Sequence, residues 1–145
     1  MKKIVFVCLG NICRSPMAEF VMKSLTDHYQ IESRATSSWE HGNPIHKGTQ
    51  GIFKIHGIDY DVTKSSQQIS KDDFEHFDYI LGMDESNVSD LLKMCPSAYQ
   101  HKIYPFAEES VPDPWYTGDF EETYNRVLTG CQAWLVRLEN ETKNG

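Results

Sequence analysis

The sequence contains no apolar run that approaches the ~20 residues needed for a membrane-spanning helix. Its opening apolar run, Ile4–Val7, is too short for the core of a signal peptide and leads into Cys8 rather than into a small-residue cleavage site. Positive charge is also in deficit, since 14 Lys and Arg residues face 21 Asp and Glu residues and the formal net charge is −7. Because an acidic chain repels polyanions, we expect no nucleic-acid or membrane partner. Because the sequence shows neither a membrane span nor a signal peptide, we expect a cytoplasmic location.

The cysteines and histidines are scattered along the chain, and neither residue type follows a metal-binding pattern. The four cysteines are Cys8, Cys13, Cys95 and Cys131, and the six histidines show no zinc-ligand spacing. A chain of 145 residues can bury an adequate core without disulfides, so we expect one domain over residues 1–145 with free thiols in a reducing compartment. We therefore predict no metal and no other cofactor.

Short apolar runs alternate with segments of helical periodicity along the chain. Strands are predicted at 3–7, 31–38, 77–83 and 102–107. Helices are predicted from Ser15-Pro16 onward, at 47–56, at 84–95 and from 119, with a short turn capped by Ser70 and polar loops at 61–70 and 108–119. The alternation is typical of a parallel sheet covered by helices, in which ligands bind at the carboxyl ends of the strands.

The stretch after the first predicted strand has the pattern C-x5-R, with five residues between Cys8 and Arg14. Gly10 and Asn11 can adopt left-handed backbone conformations that turn consecutive N–H groups inward, and such groups at a helix N-terminus bind oxyanions. The Arg14 guanidinium adds a planar fork suited to a tetrahedral oxyanion. The same positive field favours the reactive thiolate of Cys8. Ser15 can donate a hydrogen bond to that sulfur and can also cap the following helix.

A thiolate beside a bound phosphate ester is set for in-line displacement, which forms a phosphocysteine. The reaction then needs an acid that protonates the departing oxygen and a base that activates water. Asp113 in the segment VPDPWY is the candidate for both roles, because the flanking prolines stiffen its loop. Trp115 and Tyr116 beside it can form an aromatic wall. The alternative is that Asp113 serves only as a turn former.

Three segments in chain order, VCLGNICRS, DYILGMDESN and DPWY, resemble the low-molecular-weight protein tyrosine phosphatases over essentially the whole chain. The resemblance implies an α/β fold with a four-stranded parallel sheet flanked by helices on both faces, a three-layer flavodoxin-like arrangement of the phosphatase I type. It also implies a cysteine-dependent enzyme that hydrolyses phosphotyrosine in proteins and aryl phosphates. Phosphate and vanadate-like oxyanions would inhibit it, and it would be a monomer or a weak homodimer.

The resemblance also implies roles for individual residues. Cys8 would be the nucleophile, Arg14 the phosphate clamp, and Asp113 the general acid and later the base. The phosphate-binding loop would comprise Leu9, Gly10, Asn11, Ile12, Cys13, Arg14 and Ser15. Asn11 would support the loop through hydrogen bonds to Ser15 and Ser33, and Ser15 would stabilise the leaving thiolate. The pocket wall would comprise Leu9, Ile12, Trp39, Trp115 and Tyr116, with packing in the core an equally good interpretation of Trp39.

Two positions need comment against the family pattern. Many relatives have a histidine in the segment corresponding to DVTKSSQQ, where it supports the loop asparagine, but this sequence has none there. How Asn11 is supported, and whether Asp84 takes part, is therefore open. Cys13 matches a cysteine that in some members forms a reversible disulfide with the nucleophile, which implies a redox switch between Cys8 and Cys13.

Three other functions compete with this one. Arsenate reductase on the same fold also uses an N-terminal C-x5-R thiolate, but it relays through further cysteines placed near each other, whereas Cys95 stands alone in its region. A non-catalytic phosphate-binding module needs neither Cys8 nor Asp113. A dithiol redox protein usually has the closer C-x-x-C spacing, and that function leaves Arg14 unexplained.

Overall fold

The structure of the protein, a computed structural model, describes residues 1–144. At its centre lies a parallel sheet with the strand order β2-β1-β3-β4. The strands are β1 (Lys3–Cys8), β2 (Gln30–Ala35), β3 (Tyr79–Gly82) and β4 (Ile103–Pro105). The predicted fold class is confirmed, although β2, β3 and β4 are each shorter than the sequence suggested because their polar or loop-forming ends leave the sheet.

Six α-helices and one 3₁₀ turn accompany the sheet within the described residues. They are α1 (Arg14–Leu25), α2 (Lys47–His56), α3 (Lys71–His76), α4 (Glu85–Met94), the 3₁₀ turn (Ser97–Lys102), α5 (Pro114–Thr117) and α6 (Phe120–Asn144). No helix within residues 1–144 combines the length and the apolar character needed to span a bilayer.

Strand β1 lies between two hydrophobic cores. Ile4 and Phe6 point into a core shared with α1, α2 and α6, whereas Val5 and Val7 point into a second core shared with α3 and α4. Successive side chains of a strand alternate between the two faces of the sheet, so a strand buried on both faces is apolar throughout. This double burial explains the continuous apolar run and fixes the position of Cys8 at the end of the strand.

The strand order reverses between β1 and β3, which leaves a crevice at their carboxyl ends. In open α/β sheets this switch point is where ligands bind. The loop after β1 begins at Cys8, and Asp84 lies two residues after the end of β3. The loop after β4 leads to Asp113. Three segments far apart in sequence therefore converge on one edge of the sheet.

The prediction that Ser15 caps the first helix is wrong. Helix α1 begins at Arg14, its N-cap is Cys13, and no side chain caps it. Asn11 has a φ of 56°, a left-handed conformation that turns the chain into the helix before Ser15 is reached. Pro16 is still accommodated, because the N–H groups of the first helical turn have no partner within the helix.

The structure adds detail to two predicted loops. The segment 61–70 is a loop and mostly exposed, but Ser66 and Ile69 within it are buried, and the Ser66 hydroxyl donates to the Gly10 carbonyl at 2.7 Å. The Pro-rich loop contains the short helix α5, whose first residue is Pro114. The Ser70 cap is confirmed, with a capping box to Asp73 that carries α3 as far as His76.

Candidate active site

Cys8 ends β1, and its sulfur is enclosed by donors from the loop that follows. The backbone N–H of Asn11 donates to Cys8 Sγ at 3.2 Å, and the Ser15 hydroxyl lies 3.0 Å from the same sulfur. Both Cys8 and Ser15 are buried. The left-handed conformation of Asn11 brings its N–H back toward the sulfur, and asparagine tolerates this conformation better than most residues. These donors suit a negatively charged sulfur.

The Arg14 guanidinium is buried and held on several sides. Its Nη1 donates to the Asp84 carboxylate at 2.7 Å and to the Val111 carbonyl at 3.1 Å. Its Nη2 donates to Asp113 at 3.4 Å. Burial alone lowers the pKa of Arg14, but negative charge on Cys8 and on the two carboxylate partners outweighs it and raises the pKa. The cation is therefore permanent and its orientation is fixed.

Asp113 uses both oxygens of its carboxylate. Oδ1 accepts a hydrogen bond from the Trp115 backbone N–H at 3.1 Å, which caps α5, while Oδ2 accepts from Arg14. Pro114 occupies the first helical position, where its fixed φ suits the helix. The cap thus directs one oxygen of Asp113 toward Arg14.

A pocket of about 160 Å³ opens above the sulfur. It is lined by Cys8, Leu9, Gly10, Ile12, Cys13, Arg14, Trp39, Glu40, Asp113, Trp115 and Tyr116. All the residues predicted for its wall line it. Trp39 and Tyr116 are each 78% exposed, so packing of Trp39 in the core is excluded and both rings stand at the mouth. Glu40 was not anticipated, because nothing in its local sequence distinguishes it from a surface carboxylate.

Asn11 is the centre of a buried hydrogen-bond network beneath the pocket. Its Nδ2 donates to Ser15 Oγ at 2.8 Å and to Ser33 Oγ at 3.0 Å, as the resemblance implied. Its Oδ1 accepts from the Gln67 backbone N–H at 3.1 Å. The side-chain amide thus donates two hydrogen bonds and accepts one. These three bonds hold Asn11 in its unusual backbone conformation.

A largely buried ion pair supports this network. Ser33 Oγ donates to Glu19 at 2.5 Å, and Lys64 Nζ lies 3.4 Å from the Glu19 carboxylate while it donates to the Ser33 carbonyl at 2.9 Å. Burial lowers the pKa of Lys64, although Glu19 opposes this shift. Lys64 stands in the DVTKSSQQ segment, but its pairing with a helix residue 45 positions earlier was not visible in the sequence.

Replacing Glu19 by glutamine is expected to destabilise the fold by about 2–3 kcal/mol, because the largely buried Lys64 loses its carboxylate partner and keeps the Ser33 carbonyl and the charge of Glu32. The double variant Glu19→Gln, Lys64→Met should recover most of this loss. Urea unfolding of the single and double variants measures the coupling. Glu32→Gln is the matched control, since Glu32 pairs with Arg34 nearer the surface and should cost less than about 1 kcal/mol. Equal losses in Glu19→Gln and Glu32→Gln would contradict the prediction.

The chain matches the description "Low molecular weight phosphotyrosine protein phosphatase" over residues 3–144. It belongs to this family. The predicted family and the predicted enzyme class, protein tyrosine phosphatase, are confirmed.

Relatives of this phosphatase are similar to it in sequence over nearly their whole lengths. The crystal structure of SP-PTP, a low molecular weight protein tyrosine phosphatase from Streptococcus pyogenes, is 63% identical, covers 95% of this chain and 93% of its own, and has a TM-score of 0.92. The low molecular weight protein-tyrosine-phosphatase PtpA of Staphylococcus aureus is 43% identical, with 90% of each chain covered. YfkJ of Bacillus subtilis, similarly named, is 38% identical, with 97% of this chain and 98% of its own covered.

The remaining thiols of the phosphatase differ from Cys8 in their surroundings. Burial, and next the negative charge of Cys8, raises the pKa of Cys13 to about 12. Burial likewise raises the pKa of Cys95 and of Cys131. These three thiols are protonated and poorly reactive at neutral pH. Residues 1–144 hold no group of three or more histidine, cysteine, aspartate or glutamate side chains placed to bind a metal ion.

Proposed function

We propose that this chain hydrolyses phosphotyrosine in proteins, and aryl phosphates generally, through a phosphocysteine on Cys8. The observation that carries the proposal is the convergence of Cys8, Arg14 and Asp113 on one pocket of about 160 Å³. The volume suits a single phosphoryl group, and the exposed rings of Trp39 and Tyr116 stand where an aryl group would leave the pocket. Residues 1–145 would act as one catalytic domain on phosphoprotein substrates.

In the first step the Cys8 thiolate attacks phosphorus, and the bond from phosphorus to the aryl oxygen breaks. Asp113 transfers its proton to the departing phenolate oxygen. Arg14 and the inward N–H groups of the loop stabilise the charge on the equatorial oxygens. The products are the free phenol and the phosphocysteine.

In the second step water attacks the phosphocysteine, and Asp113, now ionised, takes the proton from that water. The sulfur–phosphorus bond breaks, and Cys8 leaves as a thiolate. Ser15 accepts a hydrogen bond from Asn11, and its own proton can point at the sulfur, 3.0 Å away, which is nearer than its other acceptor, the Arg34 carbonyl at 3.4 Å. That donation stabilises the leaving thiolate, and inorganic phosphate is released.

The competing functions fit these positions less well. A relay of the arsenate reductase kind needs further cysteines close to each other, but Cys95 and Cys131 belong to cores on opposite faces of the sheet. A module that only binds phosphate has no use for the donors around the Cys8 sulfur or for an acid at the pocket.

Trapping tests the proposed intermediate. The enzyme is mixed with an aryl phosphate, quenched in acid within one turnover and digested, and the peptide that contains Cys8 is weighed. We expect a phosphate mass increment on Cys8 and on no other residue. A phosphate on a different side chain, or turnover without a phosphoenzyme at any quench time, would contradict the mechanism.

Alkylation tests the reactivity of the thiol. Iodoacetate near pH 6 is expected to carboxymethylate Cys8 alone, because burial raises the pKa of the other three thiols and keeps them protonated. Inorganic phosphate or vanadate should protect Cys8 by filling the pocket and should inhibit turnover competitively. Mass mapping of the alkylated peptides reads out both effects. Modification of several cysteines at equal rates, or of Cys8 without protection, would contradict the oxyanion pocket.

The predicted redox switch stays part of the proposal. Peroxide would oxidise Cys8 to a sulfenic acid, and Cys13 would condense with it to a disulfide with loss of water. The high pKa of Cys13 makes the condensation slow at neutral pH, so we propose a protective rather than a rapid signalling role. The monomer or weak homodimer and the cytoplasmic location stay predictions.

A further inference from the structure

The His46 ring contacts the segment that carries Asp113 at two points, Trp115 and Phe120. Its ring stacks on Phe120 with centroids 5.2 Å apart and planes at 19°, and it meets the Trp115 ring edge-on at 5.6 Å. Trp115 lies just after Asp113, and Phe120 begins α6. The Phe120 ring also lies directly over Gly48, where a Cβ atom would come within 2.3 Å of it. The segment that carries Asp113 and runs to Phe120, called the acid segment below, therefore packs against the start of α2.

The same residue is tied to the phosphate-binding loop. The His46 backbone N–H donates to the Ile12 carbonyl at 2.9 Å. Its Nδ1 accepts from the Gly48 backbone N–H at 2.9 Å and so caps α2. The cap fixes the ring plane of His46. His46 thus joins the phosphate loop through its backbone and the acid segment through its ring.

Other contacts hold the acid segment mainly at its start. Val111 is buried, its backbone N–H donates to the Met83 carbonyl at 2.9 Å, and its carbonyl accepts from Arg14 at 3.1 Å. Asp113 itself meets Arg14 at 3.4 Å, and the Thr123 hydroxyl donates to the Pro112 carbonyl at 3.3 Å. After the buried Pro114, Trp115 and Tyr116 are largely exposed. A displacement of about 1 Å in a catalytic group can cost ~10²-fold in rate. The stack on His46 therefore adds a restraint on the part of the segment that follows Asp113.

We propose that His46 is a positioning residue for the general acid, which it holds over the phosphate loop through its ring. This inference rests on the proposed role of Asp113. The N-cap and the stack are separate properties of one side chain, and they can be removed separately. Asparagine retains the cap but has no ring, whereas phenylalanine retains the ring but cannot cap.

The test compares kcat/KM for phenyl phosphate, whose leaving group needs a proton, with kcat/KM for dinitrophenyl phosphate, whose leaving group does not. This constant reports the first step alone. His46→Asn is expected to lose about 10-fold on phenyl phosphate, part of the ~10²–10⁴-fold that a general acid supplies. It should lose little on dinitrophenyl phosphate. His46→Phe should keep both constants near the parent while its thermal midpoint falls.

His56→Asn is the matched control. His56 also stacks on an aromatic residue of α6, Tyr124, at 3.9 Å, but it lies at the far end of α2 from Asp113. The ratio of the two constants should stay at the parental value in this variant. Competitive inhibition by inorganic phosphate should be unchanged in all three variants, because the backbone bond of residue 46 to Ile12 survives substitution.

Three outcomes would overturn the role of His46. One is an unchanged ratio in His46→Asn, and a second is an equal change of ratio in His46→Phe, which would mean that the ring stack does not account for the effect. Weakened phosphate inhibition in His46→Asn would likewise overturn it, since the binding loop would then be affected. Asp113→Asn is measured alongside. If that variant leaves the ratio unchanged, the proposed acid itself fails, which is distinguishable from a failure of His46 alone.

Discussion

Replacing Cys8 by serine is expected to reduce turnover of a phosphotyrosine peptide by a factor on the order of 10⁴ or more, the scale seen when a covalent nucleophile is removed. The serine hydroxyl fills nearly the same space and can accept the same hydrogen bonds, but it is not ionised near neutral pH. The donors from Asn11 and Ser15 suit a charged sulfur and do not supply a base that would activate a hydroxyl. Steady-state kinetics and the trapping experiment together measure the loss.

Binding should survive this substitution, because Arg14 and the loop amides are untouched. Calorimetric titration with inorganic phosphate is expected to show affinity within a few-fold of the parent. Cys95→Ser is the matched control, since Cys95 lies in the core on the opposite face and its sulfur donates only to the Pro96 carbonyl. The control should keep parental turnover. Parental turnover in Cys8→Ser as well would refute covalent catalysis by this thiol.

Replacing Asp113 by asparagine is expected to lower kcat/KM for phenyl phosphate by about 10²–10⁴-fold, the contribution typical of a general acid. Asparagine can still cap α5, because its side-chain oxygen can accept the Trp115 N–H that Oδ1 accepts now. The segment should therefore keep its place while it loses the proton. The loss should shrink for dinitrophenyl phosphate, whose phenolate leaves without protonation. Comparison of kcat/KM for the two substrates therefore separates the loss of the proton from a displacement of the segment.

Asp119→Asn controls for charge in the same segment. Asp119 caps the start of α6 by accepting the Glu122 N–H at 3.0 Å, and asparagine retains that bond. The control removes one negative charge near the pocket without touching Arg14, and its leaving-group dependence should match the parent. If Asp113→Asn lowers both substrates equally, Asp113 does not act as the acid in the first step. If Asp119→Asn reproduces its effect, general electrostatics rather than proton transfer is responsible.

The elements that could be predicted well are those whose signals are local. The bounds of α2 were predicted correctly, since Gly57 stops it in a left-handed conformation, and β1 differed only by the inclusion of Cys8. The start of α1 was missed by two residues because the φ of Asn11, not the preference of Ser15 for caps, decides where the helix begins. Burial of Ser66 within a mostly exposed loop was not predicted, because its hydroxyl serves a hydrogen bond inside the protein, to the Gly10 carbonyl.

The function of the loop from Cys8 to Ser15 could be predicted for the same reason. Cys8, Asn11, Arg14 and Ser15 lie within one short stretch, so their chemistry and spacing could be interpreted together. The aromatic pocket mouth also followed from the sequence of the Asp113 segment and its resemblance to the family. Glu19, Lys64 and His46 were missed, since each is an ordinary helix or loop residue until the fold supplies its partner.

What the sequence determined by itself is a sheet-and-helix chain with one thiol loop suited to oxyanions, because those properties depend on neighbours a few residues apart. Only the tertiary structure decided what holds that loop. Arg14 is fixed by Asp84 and Asp113, which lie 70 and 99 residues away along the chain. Such contacts depend on which strand ends meet at the edge of the sheet, and burial makes them strong by excluding the water that would otherwise compete for each charge.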